Sequence, residues 1–221
     1  MLSLSREEFK KLVQILLWFN AILFTVVWLI RMWAGATPGA AAVQSISISI
    51  ALTTALPLIG MNLTWKWPRL ARLANRPIVH GLWWGEIKPI YQGEAIPPIP
   101  IAFVIRQQYA SLSIQSFTSS IPADSTIEVF ERSEKSTDVY LKYVYHMTRE
   151  ANAENKATVG YGRLRLERAG QELGGSYWTN SPTSGQIRLK FVTRECDDIN
   201  CFESAREAAD KKGFVVKQEQ A

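Results

Sequence analysis

Nineteen consecutive uncharged residues, Leu12 to Ile30, lie between Lys11 and Arg31, and they constrain the first part of this chain more than any other feature. As a helix the stretch rises about 28 Å, close to the hydrocarbon thickness of a bilayer. Gln14, Asn20 and Thr25 are its notably polar members, set among two Trp and two Phe. A second uncharged stretch runs from Met32 to Trp65, and its Val43 to Leu63 portion has the length of a second span. Ser45, Ser47 and Ser49 alternate with Ile46, Ile48 and Ile50 as they would in a strand, but length and lack of charge favour a helix. Ser45, Ser49 and Thr53, four apart, then share one face. Small side chains there permit close helix approach and interhelical hydrogen bonds, either within one chain or between chains.

Charge is distributed to match. The 221 residues include 25 Lys+Arg and 20 Asp+Glu, with a pI near 9.2, a balance that invites a nucleic-acid reading. Up to residue 76 there are 8 basic and 2 acidic residues, an excess of +6; the remainder holds 17 and 18, an excess of −1. Basicity therefore flanks the apolar segments. Arg6, Lys10 and Lys11 precede the first, while Lys66, Arg69, Arg72 and Arg76 follow the second, with Arg31 alone between them. The positive-inside rule predicts two spans with both termini cytoplasmic and the Trp33–Ala42 loop outside. Trp65 and Trp67 sit where an interfacial aromatic belt is expected. A cleaved signal peptide ending near Ala40–Ala42 is the alternative, disfavoured because the apolar run is too long and a second span follows.

From Pro77 the pattern changes to short β segments broken by turns: 79–91, 99–109, 111–118, 126–132, 138–148, 160–168, 172–179 and 185–194. Several alternate cleanly. Leu141, Tyr143 and Tyr145 oppose Tyr140 and Lys142; Leu164 and Leu166 oppose Arg163 and Arg165; Ile187, Leu189 and Phe191 oppose Arg188 and Lys190. Eight antiparallel strands with one wet and one apolar face predict an up-and-down β-barrel. The segment Cys201–Lys212 predicts a short C-terminal helix stopped by Gly213, with Phe202, Ala205, Ala208 and Ala209 against the barrel and Phe214, Val215 and Val216 available to pack. Three parts follow: 1–76 a transmembrane hairpin, 77–195 a cytoplasmic β-barrel ligand-binding domain, and 196–221 a helix and tail.

Chemistry is sparse. His80 and His146 are the two histidines, and no nucleophile elbow, P-loop or zinc-protease motif occurs, so no catalytic residues are assigned and a binding protein is expected over an enzyme. Gly160-Tyr161-Gly162 is read as a turn or strand entry. Cys196 and Cys201, five apart and without a neighbouring His in sequence, predict ordinary thiols and no metal site. Aromatic rings are abundant instead: Tyr109, Tyr143, Tyr145, Tyr161, Tyr177, Trp83, Trp84 and Trp178 either fill the barrel core or stack on a planar ligand, with Arg106 or Arg188 offering charge to an anion. Strand parity puts Arg163 and Arg165 outside, hence away from an interior pocket, and leaves Arg106 readable either way.

The two apolar helices, the eight-stranded domain opening with Gly81-Leu82-Trp83-Trp84-Gly85, and the late Gly175-Ser176-Tyr177-Trp178-Thr179 followed by Gly185-Gln186-Ile187 resemble the SMODS-associating two-transmembrane β-strand-rich effectors of CBASS, the bacterial cyclic-oligonucleotide antiphage system. The G-x-W opening also looks like the lipocalin signature, whose Trp plugs one barrel end. The effector resemblance implies a functional link to a CD-NTase, which makes a cyclic dinucleotide on infection. It implies further that the barrel binds that ligand, that the protein forms a homo-oligomer among membrane lipid, and that the inner membrane is disrupted, killing the infected cell. No cofactor and no DNA or RNA polymer is implied. For the site, the reading selects Arg106 for a phosphate, Tyr109, Tyr143 and Tyr177 for stacking, and Thr179 for a base-edge hydrogen bond. A membrane-anchored lipocalin-like carrier or assembly protein, holding an apolar molecule or a partner chain, is the alternative.

Overall fold

The computed structural model describes residues 6–63, 76–108, 111–132, 138–148, 157–167 and 170–214, which divide into a helical unit and a β unit. Two helices, α1 (Arg6–Trp33) and α2 (Pro38–Leu63), make the first. Both are long and apolar enough to cross a membrane. Their apolar side chains point away from the pair: Val13, Leu17, Ile22, Val26 and Ile30 on α1 and Val43, Ile46 and Ile50 on α2 are exposed. What the helices bury against each other is small or polar. Ala41, Ser45 and Ser49 are fully buried, and Asn20 Nδ2 donates to Thr53 Oγ1 at 3.0 Å across the pair. The serine hydroxyls are satisfied by their own helix, Ser45 on Ala41 O at 2.6 Å and Ser49 on Ile46 O at 3.1 Å, so the backbones can approach without an orphaned donor. The Ser45, Ser49, Thr53 face is thus used within the chain, the first of its two open readings.

The β unit contains β1 (Gly81–Tyr91), a two-residue ribbon β2 (Glu94–Ala95), β3 (Ile99–Gln107), β4 (Leu112–Phe117), β5 (Pro122–Arg132), β6 (Val139–Thr148), β7 (Ala157–Glu167), β8 (Glu172–Thr179) and β9 (Thr183–Thr193). Each of β3 to β9 pairs antiparallel with its sequence neighbour, and β9 returns to β1 from Leu82↔Thr193 to Tyr91↔Thr183, so eight strands close a barrel while β2 rides on the end of β1. Closure removes the exposed strand edges. The alternation read from the sequence holds: Leu141, Tyr143, Leu164, Leu173, Ile187 and Leu189 point inward, joined by Trp83, Phe103, Ile105, Ile114 and Phe130.

Several boundaries differ from the sequence reading by a few residues, and two of them have a visible cause. The fifth strand begins at Pro122 instead of Thr126, because Pro122 is the first paired residue, opposite Phe117, a position that needs no amide donor. The first strand begins at Gly81, since the Val79 and His80 amides are taken by the Gln107 side chain at 2.8 and 3.2 Å instead of by a ladder.

A second apolar cluster lies outside the barrel. Leu82, Trp84, Ala102 and Val104 face outward from β1 and β3 and are covered by Val192, Cys196, Ile199 and the helix α3 (Phe202–Lys211) through Ala205 and Ala209. Phe202 stacks on Trp84 at 5.4 Å. Cys201 N-caps α3 in a capping box with Ser204. Phe214 packs partly against the same cluster as expected, whereas Val215 and Val216 lie outside the described residues.

Candidate functional site

The two ends of the barrel are unlike. At the end where β1 begins and β3 and β9 finish, the incoming segment 76–80 is tied down. Trp83 Nε1 donates to Val79 O at 2.7 Å, Gln107 Nε2 donates to Pro77 O at 2.9 Å, and Arg194 Nη1 donates to His80 O while stacking at 4.3 Å on Phe191, itself edge-on to Trp83. Trp83 is fully buried, so the Gly-x-Trp opening closes a barrel end as its lipocalin-like pattern suggests. The Arg76 guanidinium is buried over the inward-facing Phe130 ring, 5.4 Å from its centroid. Arg76 was expected to serve as a basic flank of the second span; the structure folds it into the β unit.

Toward the opposite end the interior becomes polar and tyrosine-rich. Tyr143, Tyr145 and Tyr177 all point inward and are buried. Tyr143 stands edge-on to Phe103 at 5.8 Å and tilted to Tyr145 at 5.7 Å. Glycines make the room: in the ladder Tyr143 faces Gly162, Tyr145 faces Gly160 and Tyr177 faces Gly185. A Cβ built on Gly160 or Gly162 would overlap the tyrosine ring opposite it. Gly160-Tyr161-Gly162 is therefore a strand whose glycines receive two rings, not a turn or a phosphate loop. Burial raises the pKa of all three phenols, that of Tyr143 most firmly, so their hydroxyls are neutral hydrogen-bonding groups.

Beside the rings sit groups that sequence reasoning missed. Ser125 and Glu128 on β5 face inward, in register with Tyr145 and Tyr143, and the Ser125 hydroxyl donates to the Glu128 carboxylate while accepting from Ile114 N at 2.8 Å. Alternation from Phe130 places Glu128 inward, and a register shift between Ser125 and Ile127 brings Ser125 to the same face. Parity counted back from Phe130 was the signal available in the sequence.

The five residues selected for the ligand do not come together. Tyr143, Tyr177 and Thr179 line the interior. Thr179 Oγ1 is engaged in its own β8–β9 turn, donating to Ser181 O at 2.9 Å and lying 3.2 Å from Thr183 O. Arg106 is on the outer face: its parity neighbours Ile105 and Gln107 point inward, and its guanidinium bonds Gln115 Oε1 and, at 3.1 Å, Ile199 O. It braces the C-terminal segment and cannot meet a ligand inside the barrel. Tyr109 lies outside the described residues; the strand ends flanking it, Gln107 and Leu112, are at the closed end, opposite Thr179. Of the wider aromatic set, Tyr161 and Trp178 stack on each other on the outer wall and Trp84 lies beneath α3. Arg188 is also outside.

His80 and Cys196, 116 residues apart, meet at 3.8 Å between Nε2 and Sγ, with Asp197 alongside. Gln107 N donates to His80 Nδ1 at 3.3 Å, so the ring proton resides on Nε2 and points at the sulfur. Burial raises the Cys196 pKa, which keeps it a thiol. The fold thus supplies the neighbouring histidine that sequence spacing did not show.

No family model matches this chain. It is similar to CD-NTase-associated protein 15 of Staphylococcus schleiferi, 25% identical over 188 residues that cover 83% of this chain and 97% of that protein. With two apolar N-terminal helices, a closed eight-stranded barrel and this relative, the chain bears out the resemblance to the SMODS-associating two-transmembrane β-strand-rich effectors on which its short glycine-tryptophan motifs first drew.

Proposed function

We propose that this protein is a non-enzymatic, membrane-anchored effector of a CBASS system: its barrel binds a cyclic dinucleotide made by a CD-NTase, and binding drives self-assembly of the helical pairs and disruption of the inner membrane. The observation that carries the reading is the joining, in one chain, of an outward-apolar helical pair to a barrel whose interior turns from packed aliphatics into three tyrosines, a serine and a carboxylate at one end. The relative's name, and its coverage along almost its whole length, supports the CD-NTase link.

Physically, Tyr143 and Tyr177 present rings to a base, and Thr179 can exchange a turn hydrogen bond for one to a base edge. Arg76, buried over the inward-facing Phe130 at the closed end, and not Arg106, is the arginine in contact with the barrel interior. Because the domain beyond residue 76 is close to neutral, attraction of a dianionic ligand is local. Ligand favours an oligomer only by binding it better than the monomer. With the Ser45 and Ser49 face already covered by α1, contacts between chains fall to the outward apolar residues of the pair.

The test is dye leakage from inner-membrane-lipid vesicles holding the full-length protein. Addition of a cyclic dinucleotide panel is expected to release dye with at least one member and with none for a Tyr177→Ala variant. A membrane that stays sealed across the panel contradicts the reading and favours the lipocalin-like carrier, which the plugged Trp83 end also suits.

A further inference from the structure

The outer wall of β7, β8 and β9 carries a groove of about 370 Å³ that the interior reading does not use. That size suits a small ligand. From the closed barrel end toward the tyrosine end, the outward rows across these strands are Glu167–Glu172–Lys190, Arg165–Gly174–Arg188, Arg163–Ser176–Gln186 and Tyr161–Trp178–Ser184. Carboxylates, arginines and aromatic rings therefore follow one another along one face.

Gly174 lines the groove, and no atom of the barrel excludes a side chain there. A Cβ on Gly85, Gly175 or Gly185 would strike backbone, and on Gly160 or Gly162 a tyrosine ring. At Gly174 the nearest atom would be the flexible Glu167 Oε1 at 3.7 Å, ordinary contact distance. A glycine in a strand weakens it, and a strand glycine that packing does not demand often marks close approach of a ligand or another backbone.

The charges around it are unequal in their engagement. Arg165 is held by Asp138 at 3.2 Å, and Glu172 faces Lys190 across the ladder. Arg163 and Arg188 have no carboxylate within ion-pair distance among the described residues; Arg163 is oriented by stacking at 4.0 Å on Tyr140. Next along β8, just beyond the groove lining, Trp178 is 56% exposed, one side of its ring tilted against Tyr161.

We propose that this groove binds a ligand of the nucleoside monophosphate class, its phosphate between Arg163 and Arg188 over Gly174 and Ser176 and its planar base against Trp178. Two residues of strand separate Ser176 from Trp178, about 7 Å, within the reach of one nucleotide. Arg163 and Arg188 both line the groove; a guanidinium takes a phosphate through charge-assisted bonds, and an exposed indole takes any base by stacking.

The experiment is equilibrium dialysis of the full-length protein in detergent against AMP, GMP and inorganic phosphate. AMP and GMP are expected to bind more tightly than phosphate. Arg188→Glu and Gly174→Val should each weaken them by about tenfold or more, the loss of one charge-assisted hydrogen bond. Gly174→Val is the decisive variant, because a β-branched residue there keeps or raises the thermal midpoint of the barrel. Trp178→Ala should bring nucleotide binding down to that of phosphate. Absence of AMP and GMP binding, or binding indifferent to Gly174→Val in a folded protein, overturns the proposal. Vesicle leakage by cyclic dinucleotides should survive Gly174→Val; its loss would overturn the groove's independence from the interior site.

Discussion

The helical pair and the barrel are built with opposite insides. In the helices, Ala41, Ser45 and Ser49 are buried and the Asn20–Thr53 hydrogen bond is half-buried, while Leu17, Trp18, Ile22 and Ile30 are exposed. In the barrel, Leu141, Leu164, Leu173 and Leu189 are buried while Arg163, Arg165, Arg188 and Lys190 are exposed. Both arrangements satisfy the same two demands, that backbone polar groups be paired and that side chains match the surrounding medium. On the membrane-anchored reading proposed above, the difference teaches that the two units suit different solvents: helix–helix association without a hydrophobic drive needs small and polar contacts, whereas the barrel core uses the drive that water supplies. A near-zero mean hydropathy of −0.04 averages the two and describes neither.

Placing a charge on each outer surface breaks the comparison most sharply. Ile22→Lys, near the middle of α1 and on its exposed side, should reduce membrane association by about 2.5–3.5 kcal/mol, whereas a further Lys on the barrel's outer strands costs almost nothing. Flotation of the full-length protein with vesicles measures it; a variant that floats like the native protein would mean that the exposed apolar face is not lipid-facing.

Next in size is a methyl group added inside the barrel. Gly162→Ala should destabilise the β unit by about 1–3 kcal/mol through overlap with Tyr143, and Gly162→Ala with Tyr143→Leu should recover part of that loss. Thermal unfolding followed by near-ultraviolet circular dichroism reads both. Equal stability of Gly162→Ala and the native protein would show that the Tyr143 ring is not held where the ladder places it.

The smallest effect is in pH. Tyr143, Tyr145 and Tyr177 have raised pKa values because burial penalises the phenolate. Their contribution to stability is complete below the ordinary phenol pKa of about 10, and it declines as pH rises past that value, because the unfolded chain ionises first. Of the seven tyrosines, these three should gain phenolate absorbance only together with loss of the folded circular dichroism signal. Smooth titration of all seven in a folded barrel would break the account of the interior.

Much of this architecture was legible because it follows from periodicity. Charge-free length gave α1 and α2, and the alternation of Ile187, Leu189 and Phe191 with Arg188 and Lys190 gave β9 and its inward face. Barrel closure followed from the number of strands and the lack of intervening helices. The site was less legible, since register and long-range approach leave no local mark. Arg106 was ambiguous because 101 to 105 are buried on both faces, one side by the interior and the other by the C-terminal segment and α3. Arg163 and Arg165 were placed outside correctly and then set aside, because a parity argument about an interior pocket says nothing of a groove on the wall. Gly160 and Gly162 fall within the expected strand 160–168 yet read as a turn or strand entry, because the tyrosines that need them are on the neighbouring strand, β6.

The central claim, that the barrel is a receptor for a cyclic dinucleotide, is tested most directly by calorimetry of the full-length protein in nanodiscs against a panel of cyclic dinucleotides. The account predicts saturable binding of at least one, abolished by Tyr177→Ala and retained by Arg106→Gln, whose side chain lies outside. No heat across the panel, or binding lost with Arg106→Gln in a folded protein and kept with Tyr177→Ala, would contradict it.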